Sequence, residues 1–329
     1  MRESAEVPYY LELCDSQAAA VSVHYGSEAW KADLPKYVKK IIAVDNFMSD
    51  WGLEKQEDGT ERDSFGCVWK RGAVDFLVRP PLAEPSLSSF SLPDVKAYYS
   101  KSADRRMREE MAASTESFRV GVHSFGLFER AWSLRGFEPL LMDFYDSPTF
   151  CEDLLEQIAC WMLESVEAML RHPLDAIMLT DDYADQRGMI FGLDIFRTLF
   201  KPRWKRIFGR IHEAGVYTVL HVCGNAEPAL GDLIECGLDC VESVQPEAMD
   251  VYKLKKQYGE RIRFWGGLGI QGLMTFGTDR QVREEVTKLK RLLGSGGGYI
   301  LSTAKEIDEN IPVGNVVAYF EEARRPVDR

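Results

Sequence analysis

The sequence predicts an α/β protein built as a single (β/α)8 TIM barrel with an elaborated N-terminal region. Three observations predict it. Short β-rich runs alternate with amphipathic helical patterns through the C-terminal two thirds, which requires parallel strands joined by crossovers. Polar side chains gather at the ends of those runs, where a parallel barrel builds its sites. The chain has 329 residues, enough for one large barrel. An open doubly wound sheet would also satisfy the alternation; five or six units after residue 115, with more before it, favour the closed barrel.

The first hundred or so residues are less regular, and PPLAEPSLSSFSLPD (80–94), rich in proline and serine, reads as a loop. Residues 1–329 are therefore expected to be one domain, with regular β/α units over 116–324. ESFRVGVHS (116–124) alternates Phe118, Val120 and Val122 and reads as a strand. Ser147-Pro148 reads as a helix start, with serine as N-cap and proline at the first position. The helix carries Leu154, Leu155, Ile158, Met162, Val166 and Met169 at helical spacing.

The pattern then repeats. Strand 175–182 (DAIMLTDD) leads to a helix with Ile207, Phe208 and Ile211 on one face, interrupted by Pro202 and ended by Gly215. Strand 216–223 (VYTVLHVC) precedes a helix from about Asn225 to Gly237, and strand 239–244 (DCVESV) one ending at Gly259. Strand 261–267 (RIRFWGG) is followed by a capping box, Thr278 with Gln281, and the apolar positions Val282, Val286 and Leu289. Strand 298–303 (GYILST) precedes a last helix from about Asn315.

Composition narrows the function. With 45% hydrophobic and 28% charged residues, the profile is that of a soluble globular protein. A formal net charge of -12 argues against a nucleic-acid partner, which needs a concentrated basic surface. No apolar run is long enough to span a bilayer, so no membrane association is expected. The stretch MRESAEVPYYLELCDSQ lacks the basic start and apolar run of a signal peptide. Seven cysteines without a regular framework read as reduced thiols, and the expected compartment is the cytoplasm.

The strand ends supply His123, then Asp181, Asp182 and Tyr183, then His221 and Cys223, then Glu242, Ser243 and Gln245, and finally Ser302 and Thr303. His221 and Cys223 are the sharpest feature. Residues i and i+2 at a strand end point the same way, and an imidazole and a thiolate so placed can bind one zinc. A catalytic site needs a third protein ligand, and alone the pair reads equally well as a packed thiol beside a hydrogen-bonded histidine. Of the neighbours Asp181 and Asp182, alternation sends only one into the site, where it could orient substrate, relay a proton or bind metal, with Tyr183 adding a hydroxyl. Aspartates in loops more often cap helices or turns. GSGGGY (294–299) precedes its strand and reads as a turn, not a phosphate cradle. Lys201, Arg203, Lys205, Arg206 and Arg210 read as a solvated helix face.

DDYADQRGMIFGLDIFRTLFKPRWKRIFGRIHEAGVYTVLHVCGN resembles the centre of the uroporphyrinogen decarboxylase superfamily. DLIECGLDCVESVQPEAMDVYKLKKQYGERIRFWGGLGIQ fits the same superfamily. FGLFERAWSLRGFEPLLMDFYDSP and DSFGCVWK look like its cobalamin-dependent methyltransferase members. The resemblance implies a (β/α)8 barrel. The decarboxylases of the superfamily carry an arginine-rich N-terminal run; here that region reads SVHYGSEAWKADLPKYVKK, a departure that disfavours porphyrinogen decarboxylation. The methyltransferases move a methyl group between a small molecule and a corrinoid protein. Their zinc ligands include an H-x-C pair, matched by His221 and Cys223, and a later cysteine, where this chain has Ser302 and Thr303.

The resemblance therefore implies a zinc-assisted methyltransferase with Glu242, Asp181 or Asp182 as third ligand, or a site without zinc. The expected donor is a small molecule such as a methyl ether. The chain lacks the D-x-H-x-x-G pattern of cobalamin-binding proteins, so the corrinoid is expected on a separate partner protein. The expected metal set is His221, Cys223 and Glu242, with Asp181, Asp182, Tyr183 and Gln245 as catalytic candidates; assembly into an oligomer is left open. The runners-up are a cofactor-free decarboxylase and a ligand-binding barrel without chemistry.

Overall fold

In the computed structural model, residues 6–42, 53–72 and 75–327 are described; the first five residues of the acidic N-terminal stretch lie outside them. The first strand, β1 (Val38–Ile41), comes after a helix, Asp15–Tyr25, closed by Gly26 in the left-handed region. Four short strands follow: β2 (Glu54–Lys55), β3 (Glu61–Arg62), β4 (Val68–Lys70) and β5 (Phe76–Arg79). They form a separate antiparallel sheet in the order β2-β3-β4-β5. Its β3–β4 turn is built on Asp63, whose carboxylate accepts the backbone N–H groups of Phe65 and Cys67 and the indole N–H of Trp69, each at 2.9 Å.

The remaining strands are β6 (Phe118–His123), β7 (Ala176–Thr180), β8 (Tyr217–His221), β9 (Cys240–Val244), β10 (Arg263–Leu268) and β11 (Tyr299–Thr303). With β1 they make a curled parallel sheet of seven strands in the order β1-β6-β7-β8-β9-β10-β11. Beside β11 the N-terminal segment forms isolated parallel bridges, Tyr9 with Leu301 and Leu13 with Ile307. Tyr10 N–H donates to the Leu301 carbonyl at 2.9 Å, and Leu301 N–H to the Pro8 carbonyl at 2.8 Å. Of the expected eight-stranded barrel, the described residues form a curled parallel sheet of seven ladder strands, with this bridged segment at one edge.

Two-residue alternation sorts the strand side chains into two cores. Val38, Val120, Val122, Ala176, Met178, Val219, Cys240 and Trp265 pack inside the curl. Ile177, Leu179, Leu220, Val241, Phe264 and Leu301 face outward and pack with the helices. The helix Pro148–Met169 begins at the expected proline, but Ser147 makes no side-chain cap bond. The capping box of Thr278 and Gln281 forms at the start of Asp279–Leu292. Gly237 caps Glu227–Cys236 in the left-handed region, and Val251–Tyr258 ends at Gly259. Pro202 does not end a helix: a π-helical turn, Phe196–Phe200, runs into Lys201–Glu213. Proline cannot donate to the preceding turn, and the winding just before it is π-helical, a local change that lets the helical run continue past it. Residues 80–94 contain no helix or strand. Among the described residues no helix is long and apolar enough to cross a membrane.

Candidate active site at the strand ends

Alternation also decides which polar residues meet. Along β8, Val219 points into the curl, and His221, two residues on, does the same at its end. On β9 Cys240 and Glu242 share that face, and Met178 and Thr180 of β7 and Asp182 just beyond it continue it. Met178, Thr180, Asp182, His221 and Glu242 line a cavity of about 270 Å³ together with Tyr10, Glu12, Lys40 and Glu129.

Asp182, His221 and Cys223 bring ligand-type atoms together, one from each, all within 4.8 Å of one another. Cys223 Sγ lies 3.5 Å from His221 Nε2, and Asp182 Oδ1 lies 3.9 Å from the same nitrogen. A nitrogen, a sulfur and a carboxylate oxygen are a donor set that zinc accepts. Gly224 makes the loop after Cys223 possible: its φ is +82°, and a Cβ there would sit 2.5 Å from the Asp185 carbonyl oxygen.

Glu242 stands on the other side of the imidazole. Its carboxylate hydrogen-bonds His221 Nδ1, leaving Nε2 toward Cys223 and Asp182. Of the three acids expected as a further ligand, the structure brings Asp182 beside His221 Nε2 and Cys223, while Glu242 contacts the opposite ring nitrogen. Burial tends to lower the His221 pKa, but the charge of Glu242, the hydrogen bonds to Cys223 and Glu242, and Asp182 outweigh it and raise the pKa well above the ordinary value. Burial conversely tends to raise that of Glu242, but His221 and Lys40 hold it below the usual carboxylate range.

The other expected residues separate. Asp181, expected in the site, faces away from the cavity. Its buried carboxylate accepts the N–H groups of Phe128 and Glu129, each at 2.9 Å, at the start of helix Leu127–Arg135. Tyr183, expected to add a hydroxyl to the site, also turns outward and is wholly buried in the helix-side core. Gln245 holds the backbone, its side-chain oxygen accepting Gly224 N–H at 2.6 Å. It therefore supports the Cys223 loop and does not line the cavity. His123 packs against Trp161, ring centroids 5.7 Å apart, outside the curl. Ser243 adopts φ +70° and donates to the Ala304 carbonyl at 2.7 Å. It lies where the β9–β10 register shifts, a bulge of the kind that re-aims side chains beside sites.

Glu129, Lys40, Tyr10 and Glu12 are among the cavity residues that a reading of strand ends misses. Glu129 comes from the helix after β6 and accepts a hydrogen bond from Thr180 at 3.1 Å. Burial, then the charge of Asp182, pushes its carboxyl up to about 7. Lys40 comes from β1, and Tyr10 and Glu12 from the N-terminal segment. The lysine pair in YVKK was the available signal, but four residues without a flanking turn motif do not announce a strand.

Residues 85–326 match the family described as uroporphyrinogen decarboxylase (URO-D). Over 170 residues, 50% of this chain and 47% of the relative, the sequence is 26% identical to the methylcobamide:CoM methyltransferase MtaA of Methanosarcina barkeri. The chain thus spans about half the length of that curated relative in the match. The fold is similar to that of a methyltransferase from Methanosarcina mazei, with a TM-score of 0.69 and 19% identity over 97% of this chain and 93% of that one. The family match covers most of the chain, and the protein belongs to the uroporphyrinogen decarboxylase family, among relatives that include methyltransferases.

Proposed function

We propose that this protein is a corrinoid-dependent methyltransferase, moving a methyl group between a small-molecule donor such as a methyl ether and a corrinoid carried by a separate protein. The observation that carries the reading is the convergence of Asp182, His221 and Cys223, the first two of which line the cavity, in a chain similar to a methylcobamide:CoM methyltransferase. Their nitrogen, sulfur and oxygen donors fit zinc, with Asp182 in the place for which Ser302 and Thr303 offer no thiol. Zinc bound there would supply Lewis acidity toward the oxygen of a methyl donor.

The remaining work falls to the chain's own residues. Glu242 fixes the His221 ring through Nδ1. Glu129, with a carboxyl near 7, can hold a proton at the cavity wall and pass it to an oxygen that gains negative charge. Val122 and Met178 line the inner end with apolar surface suited to a small organic donor. The N-terminal segment beside β11 is read as the eighth position of the barrel, bringing Tyr10 and Glu12 to the cavity. We assign the protein to the cytoplasm.

Metal content of the purified, zinc-supplemented protein tests the reading, compared with a His221→Ala/Cys223→Ser variant. About one zinc per chain, lost in the variant, is expected, together with methyl transfer to or from a methylated corrinoid protein. A folded wild-type protein that takes up no zinc would sink the metal-assisted mechanism and favour a cofactor-free decarboxylase.

A further inference from the structure

The ammonium of Lys40 bridges elements that are far apart in sequence. It lies 3.0 Å from Glu12 of the N-terminal segment and 3.7 Å from Glu242 of β9. It also sits over two aromatic faces, 4.8 Å from the Tyr10 ring centroid and 5.5 Å from that of Trp265 on β10. Its side chain is 16% exposed, and that of Glu242 only 4%. A carboxylate so buried needs compensating charge, and each of its oxygens meets a different partner. Oε2 takes His221 Nδ1, and Oε1 faces Lys40.

We propose that Lys40 is a positioning residue that holds the Glu242 carboxylate aimed at His221 Nδ1, and so presents His221 Nε2 to Cys223 and Asp182. The site then depends on an N-terminal brace: Glu12 and Tyr10 hold Lys40, Lys40 holds Glu242, and Glu242 holds the histidine. The chain of contacts crosses the open interior of the curl from β1 to β9, so the imidazole orientation is coupled to the docking of residues 10–12 beside β11. Burial by itself would lower the lysine pKa, yet Glu242 and Glu12 together raise it, which keeps the brace charged. The consequence for metal binding rests on the zinc reading above; the orientation of His221 does not.

Two measurements separate these. In the metal-free protein, the His221 Nδ1 proton held by Glu242 is expected as an exchange-protected downfield proton resonance, assigned by its loss in His221→Ala. It should persist in Lys40→Arg and be lost in Lys40→Met and Glu242→Gln. Methionine suits the aromatic faces of Tyr10 and Trp265, and circular dichroism confirms that each variant is folded. In chelator competition, zinc affinity should fall by roughly 10-fold in Lys40→Met and stay near wild type in Lys40→Arg. A protected proton that survives in folded Lys40→Met overturns the proposal, as does wild-type zinc affinity in that variant. A wild-type protein that binds no zinc overturns the metal reading alone, because the proton resonance still decides the role of Lys40.

Discussion

The Asp182 carboxylate accepts the backbone N–H of Cys223 at 2.7 Å, tying the residue just beyond β7 to the one just beyond β8. The same oxygen, Oδ1, faces His221 Nε2 at 3.9 Å. Asp182 therefore helps to set the loop that carries the thiol while presenting its own oxygen beside it. Asp182→Ala is expected to change stability by about 1 kcal/mol or less, as loss of one partly exposed hydrogen bond, and to abolish stoichiometric zinc uptake. Urea unfolding and metal analysis of the same preparation check both parts.

Asp181 predicts the opposite. Its carboxylate accepts two N–H groups at the start of helix Leu127–Arg135, that of Phe128 buried and that of Glu129 partly so, and Asp181→Ala leaves both without that acceptor. A loss of about 2–3 kcal/mol in urea unfolding is expected, with zinc stoichiometry retained in the folded fraction.

Gly224 sits at φ +82° against the Asp185 carbonyl oxygen. Gly224→Ala must displace the loop after Cys223, because both the backbone conformation and the space exclude a Cβ. The expected cost is about 1–3 kcal/mol with weaker metal binding, measured by unfolding and chelator competition.

Glu129 is expected to titrate near 7 in the metal-free protein, raised first by burial and then by Asp182. Asp182→Asn removes the second cause only, so the midpoint should fall but stay above the ordinary carboxylate range. Carbon-13 NMR of labelled glutamate reads the midpoint; an unchanged value would remove Asp182 as a cause.

His123 gives the pH dependence of stability. Burial, then the nearby Arg130 charge, lowers its pKa to about 4 from the ordinary 6.5. Between those values the unfolded chain binds a proton that the folded chain refuses. The contribution of neutral His123 is thus full above the unfolded pKa and lost as pH falls toward 4, amounting to about 3 kcal/mol. His123→Phe, which keeps a ring against Trp161, should flatten that part of the stability–pH curve in urea unfolding from pH 7 to 4.5.

Alternation and helix punctuation made β6 to β11 and their helices legible from residue 116 onward, because those signals are local: period-two apolar runs, prolines at helix starts, glycines at helix ends. The H-x-C pair of His221 and Cys223 was legible for the same reason, since one strand end holds both. The antiparallel sheet β2–β5 was not, because its strands are two to four residues long and carry no clear period. Nor could sequence choose between Asp181 and Asp182. That depended on which parity of β7 faces the curl, which is set by neighbouring strands.

Sequence by itself determined the parallel α/β organisation, the acidic character and the strand end that bears the imidazole and the thiol. Tertiary structure decided that Asp182 joins them, that Glu242 stands behind His221, and that Lys40, Glu12 and Glu129 complete the cavity. The physical reason is range. Hydrophobic period and capping act over a few residues, whereas an ion pair between Lys40 and Glu242 spans some two hundred positions and exists only once the sheet has curled to bring β1 opposite β9.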